Sequence, residues 1–357
     1  MSAQPVMEHN TAPDRTALDS KVPEKGVIPV AGGKGGTGKS TLTANIGVGL
    51  ALLGYRVILV DGDLGGADLH LFFDQVAPSR SLSSFLTREA SSLKDVMLST
   101  SHQNLKLICG GNELIGTANL PFLVKEKLMR HVRGLEADFV VLDLGAGTAF
   151  NTLDLFSMSN HGLVVCTPQP HARVDAYGFI KNVVYRKLRR AFSRNKAVLD
   201  RIDHFARTSG RRSGRIRELI DELAAVDVGA AEQAAADLRC LRPRLVLNQV
   251  RNRRQLEDAG RFIRLVEEYL SVSMEYAGYV RADINIVQAC ERRRPLLLDN
   301  PGSPAAQDIS SLVLNGLGVA DRLQRFGPVN DGKMADIARA HTRASGTYEC
   351  AREGARK

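Results

Sequence analysis

The chain has 357 residues, 44% of them hydrophobic and 24% charged, close to the globular average, which excludes wholesale disorder. Tryptophan is absent and aromatics make up 5%, so little material exists for stacking single-stranded nucleic acid. The formal net charge of +9 permits an anionic partner without choosing among nucleic acid, lipid and protein.

Residues Met1 to Lys25 are polar, lack the apolar core of a secretory signal and read as a mobile tail (1–25), as does 328–357. Between them, short runs nearly continuous in Val, Ile and Leu alternate with helical stretches. The runs are Val27–Ala31, Arg56–Asp61, Leu105–Cys109, Phe139–Asp143, Gly162–Thr167, Arg244–Asn248 and Tyr276–Val280. Such runs suit strands buried on both faces of a parallel sheet. Helical patterns fall at Ser40–Leu53, Phe122–Leu135, Ala172–Phe192, Arg254–Leu270 and Ala305–Phe326. The alternation predicts an α/β fold: a doubly wound, mostly parallel sheet of about seven strands, covered by helices on both faces, in one domain over 26–327. Pro29 lies inside the first strand, where it removes a ladder donor, so a distortion is expected there.

Residues 186–239 break the alternation and read as an insertion of two or three helices, interrupted at Thr208-Ser209-Gly210. Thirteen Lys and Arg side chains between Lys181 and Arg217 are opposed only by Asp200 and Asp203, so the excess charge of the whole chain is concentrated here. Such a run is either a solvated helix face or a surface for phosphates.

The chemistry starts after the first strand. Gly33-Lys34-Gly35-Gly36-Thr37-Gly38-Lys39-Ser40 fits G-x-x-x-x-G-K-[ST], followed by Thr41 and an apolar helix. Glycines let successive N–H groups curl around an anion, and the helix adds its positive end. Lys39 would neutralise β- and γ-phosphates, and the Ser40 hydroxyl would ligate Mg²⁺, so ATP with Mg²⁺ is the expected ligand. Lys34 is a second lysine that a simple phosphate loop does not need. The next two acidic sites lie at strand ends, where open parallel sheets bind ligands. They are Asp61 and Asp63 in Asp61-Gly62-Asp63-Leu64-Gly65-Gly66-Ala67-Asp68, and Asp143 in Asp143-Leu144-Gly145-Ala146-Gly147.

With Lys34 inside it, the loop resembles that of the deviant Walker A group, the MinD, ParA and Mrp ATPases and the nitrogenase iron protein. The resemblance implies an ATP-dependent homodimer in which Lys34 reaches the partner's phosphates. It further implies that Asp63 positions the attacking water near the metal, with Asp61 supporting the lysines or the metal shell. Asp143 would hold Mg²⁺ through water and the Gly147 N–H would sense the γ-phosphate. Asn248, ending the strand Leu245-Val246-Leu247, corresponds to a residue that pairs with adenine, although a strand-end Asn also caps turns. Asp175 matches a position near the dimer seam.

The runs Asp63–His70, Asp143–Asn151, Asp175–Lys181 and Arg293–Ala306 look most like MinD and the flagellar-number ATPase FlhG. That resemblance implies a slow ATPase switch that positions or regulates a cellular assembly, through a regulatory protein partner and peripheral membrane contact. Two features depart from it: Met1–Lys25 has no Asp-Gln-Ala run of the kind through which FlhG activates FlhF, and plain MinD has no basic helical insertion. ParA-like partition, with nonspecific DNA on the insertion, is the alternative reading. Five dispersed cysteines (Cys109, Cys166, Cys240, Cys290, Cys350) without a C-x-x-C pair read as reduced thiols and not as ligands of an Fe–S cluster. No apolar run approaches the ~20 residues of a membrane span, so the expected location is cytoplasmic, including the inner face of the membrane or the cell pole.

Overall fold

The computed structural model describes residues 26–111, 120–208 and 214–319. The segments read as tails, Cys350 and most of the break at 208–210 lie outside these residues. Eight strands form one sheet: β1 (Gly26–Ala31), β2 (Val57–Asp61), β3 (Met97–Ser99), β4 (Leu105–Ile108), β5 (Phe139–Asp143), β6 (Leu163–Cys166), β7 (Arg244–Val250) and β8 (Glu275–Arg281). Their order is β3-β4-β2-β5-β1-β6-β7-β8, parallel except for the antiparallel β3–β4 edge pair. The expected seven strands are all present. The eighth, β3, is three residues long and only partly buried, so it lacks the apolar run that marks the others.

Helices among the described residues are α1 (Lys39–Leu52), α2 (Leu82–Leu86), α3 (Phe122–Gly134), α4 (Phe150–Phe156), α5 (Pro170–Ala191), α6 (Lys196–Thr208), α7 (Ile216–Ala224), α8 (Val228–Cys240), α9 (Arg254–Leu270), α10 (Ile284–Glu291), α11 (Leu296–Asp299) and α12 (Pro304–Ser311). Alternation along each strand sends its side chains into two separate cores. Ile58, Val60, Val140, Leu142, Val164, Leu245 and Leu247 pack into one with residues of α3, α5, α9 and the insertion. Val57, Leu59, Phe139, Val141, Leu163, Val165 and Val246 pack into the other with α1, α11 and α12. Helices therefore cover both faces, as buried parallel strands require.

The distortion expected at Pro29 is absent: the β1–β5 register runs Gly26↔Phe139 to Val30↔Asp143 without a shift. The Leu144 N–H donates to the Val30 carbonyl, so Ile28 and Val30 face β5 and Pro29 faces β6. Pairing with β6 begins only at Val30, so no ladder bond is lost at Pro29. The insertion is also narrower than expected, because α5 runs unbroken to Ala191. Three helices, α6 to α8, then fill the interval, packing Val198, Ile202, Phe205, Leu219, Leu223 and Leu238 into the first core. The last predicted helix stops being α-helical at Ser311 and continues as a wider π turn, Leu312–Gly316. A Cβ on Gly316 would overlap the Ala277 carbonyl, so the residue at this point must be a glycine for the chain to pass against β8.

Candidate functional site

The C-terminal ends of β1, β2, β5 and β7 meet at one edge of the sheet, and the loops leaving them hold most of the expected site residues. The loop after β1 turns through two left-handed glycines, Gly36 (φ +74) and Gly38 (φ +84), into the first turn of α1. Side chains there would be strained. Gly33 is fixed by contact instead of by torsion: a Cβ on it would overlap the Asp175 carbonyl of α5. Asp175, expected near a subunit seam, thus lies where α5 presses on the loop. Gly35 faces open space.

The two lysines of the loop sit in opposite settings. Lys39 is buried, 8% exposed, and its charge acts on Asp143. Lys34 is exposed and makes no ion pair among the described residues. Ser40 and Thr43, one turn apart on α1, both donate to Asp143, the Thr43 hydroxyl at 3.1 Å. Asp143 is 1% exposed, and burial pushes its carboxyl up to about 7 against the opposing pull of Ser40 and Lys39. Thr41 instead faces Cys290 of α10.

Asp61 does not reach toward the loop as expected. It is fully buried, and its two oxygens accept the N–H groups of Asp63 and Leu69, each at 3.1 Å. Burial, and next Asp143 beside it, raise its pKa well above the usual carboxylate range. Its work is to fold the Gly62–Leu69 loop, and that loop sets Asp63 against the turn after β5. The Asp63 carboxylate accepts from the Gly65 N–H at 3.2 Å, and a Cβ on Gly145 would lie 2.9 Å from it. Gly147 adopts φ +87, and its N–H donates to the Gly32 carbonyl at 3.3 Å. In this structure, then, that N–H ties the turn to the phosphate loop.

Asn248 is 4% exposed, and its amide Nδ2 donates to the Thr37 carbonyl at 2.8 Å. This fixes the amide orientation and leaves Oδ1 as a buried acceptor without a partner. The Thr37 hydroxyl beside it is also buried and unpartnered. Orphaned polar atoms are costly inside a protein, and these two mark a place where a ligand completes the structure. Sequence reasoning missed the neighbouring Gln249, whose Nε2 donates to the Gly36 carbonyl at 3.2 Å. Nothing but its place beside Asn248 at a strand end marks it.

The donor set fits magnesium. Ser40 and Asp143 offer hard oxygens, and Mg²⁺ is ordinarily held by one or two protein oxygens together with substrate phosphates. Among the described residues no group of three or more His, Cys, Asp or Glu could hold a metal ion.

Part of the basic run is paired, while Arg194, Lys196, Arg207 and Arg217 are exposed. Arg186 and Arg190 join Lys125 around the buried Asp154, Arg189 pairs with Asp203, Arg201 with Glu222 and Arg215 with Glu268. Arg211 and Arg212 lie outside the described residues. No helix among those described is long and apolar enough to cross a membrane.

Comparison with known proteins agrees with this geometry. Residues 24–185 match the ParA family model described as NUBPL iron-transfer P-loop NTPase. The chain is 30% identical over 168 residues to the flagellum site-determining protein YlxH of Helicobacter pylori, covering 43% of this chain and 52% of that protein. It is 26% identical over 322 residues to the septum site-determining protein MinD of Bacillus subtilis, covering 87% and 96%. The chain spans about half the length of the curated relatives it matches at about 30% identity. Among solved structures, MinD of Pyrococcus horikoshii complexed with Mg-ADP superposes with a TM-score of 0.55 at 20% identity, over 84% of this chain and 96% of that one.

Proposed function

We propose, for a chain that carries a ParA-family P-loop NTPase domain with MinD-like relatives, that it is an ATP-dependent dimerising switch of the MinD and FlhG type. The observation that carries the reading is the contrast between the two lysines of one loop. Lys39 is buried beside Asp143, where it serves its own subunit's phosphates, while Lys34 is exposed without an ion pair among the described residues. A second subunit that places its triphosphate against Lys34 gives that charge a partner.

Within one subunit the residues divide the work. Gly33 to Thr41 wrap the phosphates, and Ser40 with Asp143 would hold Mg²⁺, which supplies charge neutralisation at the β- and γ-oxygens. Asp63, held over Gly145 by the loop that Asp61 folds, orients the attacking water. The Gly147 N–H, bonded to Gly32 in the free chain, would exchange that bond for one to the γ-phosphate. Asn248 has one amide N–H bonded to Thr37 and its Oδ1 without a partner, and that buried acceptor suits the exocyclic amine of adenine better than the carbonyl of guanine. Basal turnover is slow, since the transition-state charges are fully met only in the dimer with its partner.

The assembled dimer positions or regulates a cellular assembly, such as flagella or a division site, by docking on a regulatory protein or membrane surface and leaving after hydrolysis. Transfer of iron calls for closely spaced thiolates, and the five cysteines supply none as a C-x-x-C pair. A fluorescent fusion tests the cellular reading. A polar or membrane focus in wild type that becomes diffuse with Lys39→Ala is expected, and coating of the nucleoid would contradict it.

A further inference from the structure

Two consecutive residues at the end of β7 bind two consecutive carbonyls of the phosphate loop: Asn248 holds Thr37 and Gln249 holds Gly36. A regular strand cannot do this, because successive side chains leave on opposite faces. The chain breaks the alternation here. Gln249 takes φ +60, a left-handed conformation uncommon for a residue with a side chain, and the β7–β8 register shifts between Asn248 and Val250. An exposed side chain in that conformation has no packing reason to be there. The Gln249 side chain instead donates to the loop.

The consequence follows from the planarity of the peptide unit. In a trans peptide the carbonyl and the next residue's N–H point in opposite directions. Fastening the Gly36 carbonyl toward β7 turns the Thr37 N–H away from β7, and fastening the Thr37 carbonyl does the same to the Gly38 N–H. These are N–H groups of the loop that curls around an anion. We propose that Gln249 is a positioning residue: with Asn248 it clamps the Gly36 and Thr37 carbonyls from outside, so the loop presents its N–H groups to a polyphosphate before one arrives. The clamp rests on the phosphate-binding reading of the loop and adds Gln249 to it. Both carbonyls stay paired while the cradle is empty, which spares binding the cost of ordering glycine-rich backbone.

Calorimetric titration with inorganic tripolyphosphate tests the clamp on Gln249→Glu, Gln249→Gly and Lys39→Ala, alongside thermal melts. Glu is nearly isosteric but cannot donate to a carbonyl, and Gly relieves the left-handed backbone while removing the bond. Both Gln249 variants should bind tripolyphosphate about three- to tenfold more weakly, the scale of one neutral hydrogen bond, with Gln249→Gly melting at or above the wild-type temperature. Unchanged binding in both, with binding lost in Lys39→Ala, would overturn the clamp alone. A loss confined to Gln249→Glu would reduce the effect to carboxylate charge and also overturn it. Binding unchanged in Lys39→Ala would overturn the phosphate reading of the loop and the clamp with it.

Discussion

At the scale of single residues, the site is governed by what burial does to charge. Asp143 has its carboxyl raised to about 7 by burial, whereas an unfolded aspartate titrates near about 3.9. The folded state therefore binds the proton more tightly. Between about pH 4 and about pH 7 the ligand-free protein should lose stability as pH rises. Asp61, raised in the same direction, adds to the slope. Asp143→Asn removes its share, and melting curves at about pH 5 and about pH 7.5 should lie closer together for the variant than for wild type. Asn248 gives a second test. Its buried Oδ1 acceptor should favour ATP over GTP by about 5- to 150-fold, the cost of leaving a buried polar group unpaired being about 1–3 kcal/mol. Fluorescent-analogue competition should show Asn248→Ala losing that preference. Lys39, Ser40, Asp63 and Asp143 were legible in the sequence because their chemistry fixes residue type and spacing at strand ends. The task of Asp61 was not legible, since its partners are backbone N–H groups that leave no mark on composition. Gln249 was hidden for the same reason.

At the scale of elements, the sheet was readable and its edges were not. Most of the longer strands announce themselves as Val, Ile and Leu runs because both faces are buried, whereas the edge strands differ: β8 carries Tyr, Ala and Gly with one Val and is partly exposed, and β3 is short and partly exposed. α4 escaped because all seven of its residues except Phe150 are buried, which erases the helical period. That burial has an ionic centre. Asp154 of α4, 0% exposed at its side chain, meets Lys125 of α3 at 2.5 Å and Arg186 of α5 at 2.7 Å, with Arg190 at 3.3 Å. These cations depress its pKa against its own desolvation. Asp154→Ala would leave Lys125 buried beside two arginines without a counter-charge, and should cost about 3–5 kcal/mol. Chemical denaturation measures this directly. A drop under about 1 kcal/mol would mean the network behaves like an exposed ion pair. The same network explains why the positive run misleads when read from sequence: part of it holds α3, α4 and α5 together.

For the whole molecule, the MinD-like relatives, the parallel sheet and the glycine-rich loop all lead to one claim that a single chain cannot satisfy. Lys34 stands exposed on a loop whose other lysine is buried. The central claim is that ATP makes the site whole by joining two copies. Light scattering on a sizing column with ATP and Mg²⁺ tests it most directly, using Asp63→Ala to slow hydrolysis. That variant should elute at twice the 38.8 kDa of one chain, and adding Lys34→Ala to it should return the mass to 38.8 kDa. A monomer in Asp63→Ala, or a dimer indifferent to Lys34, would contradict the account.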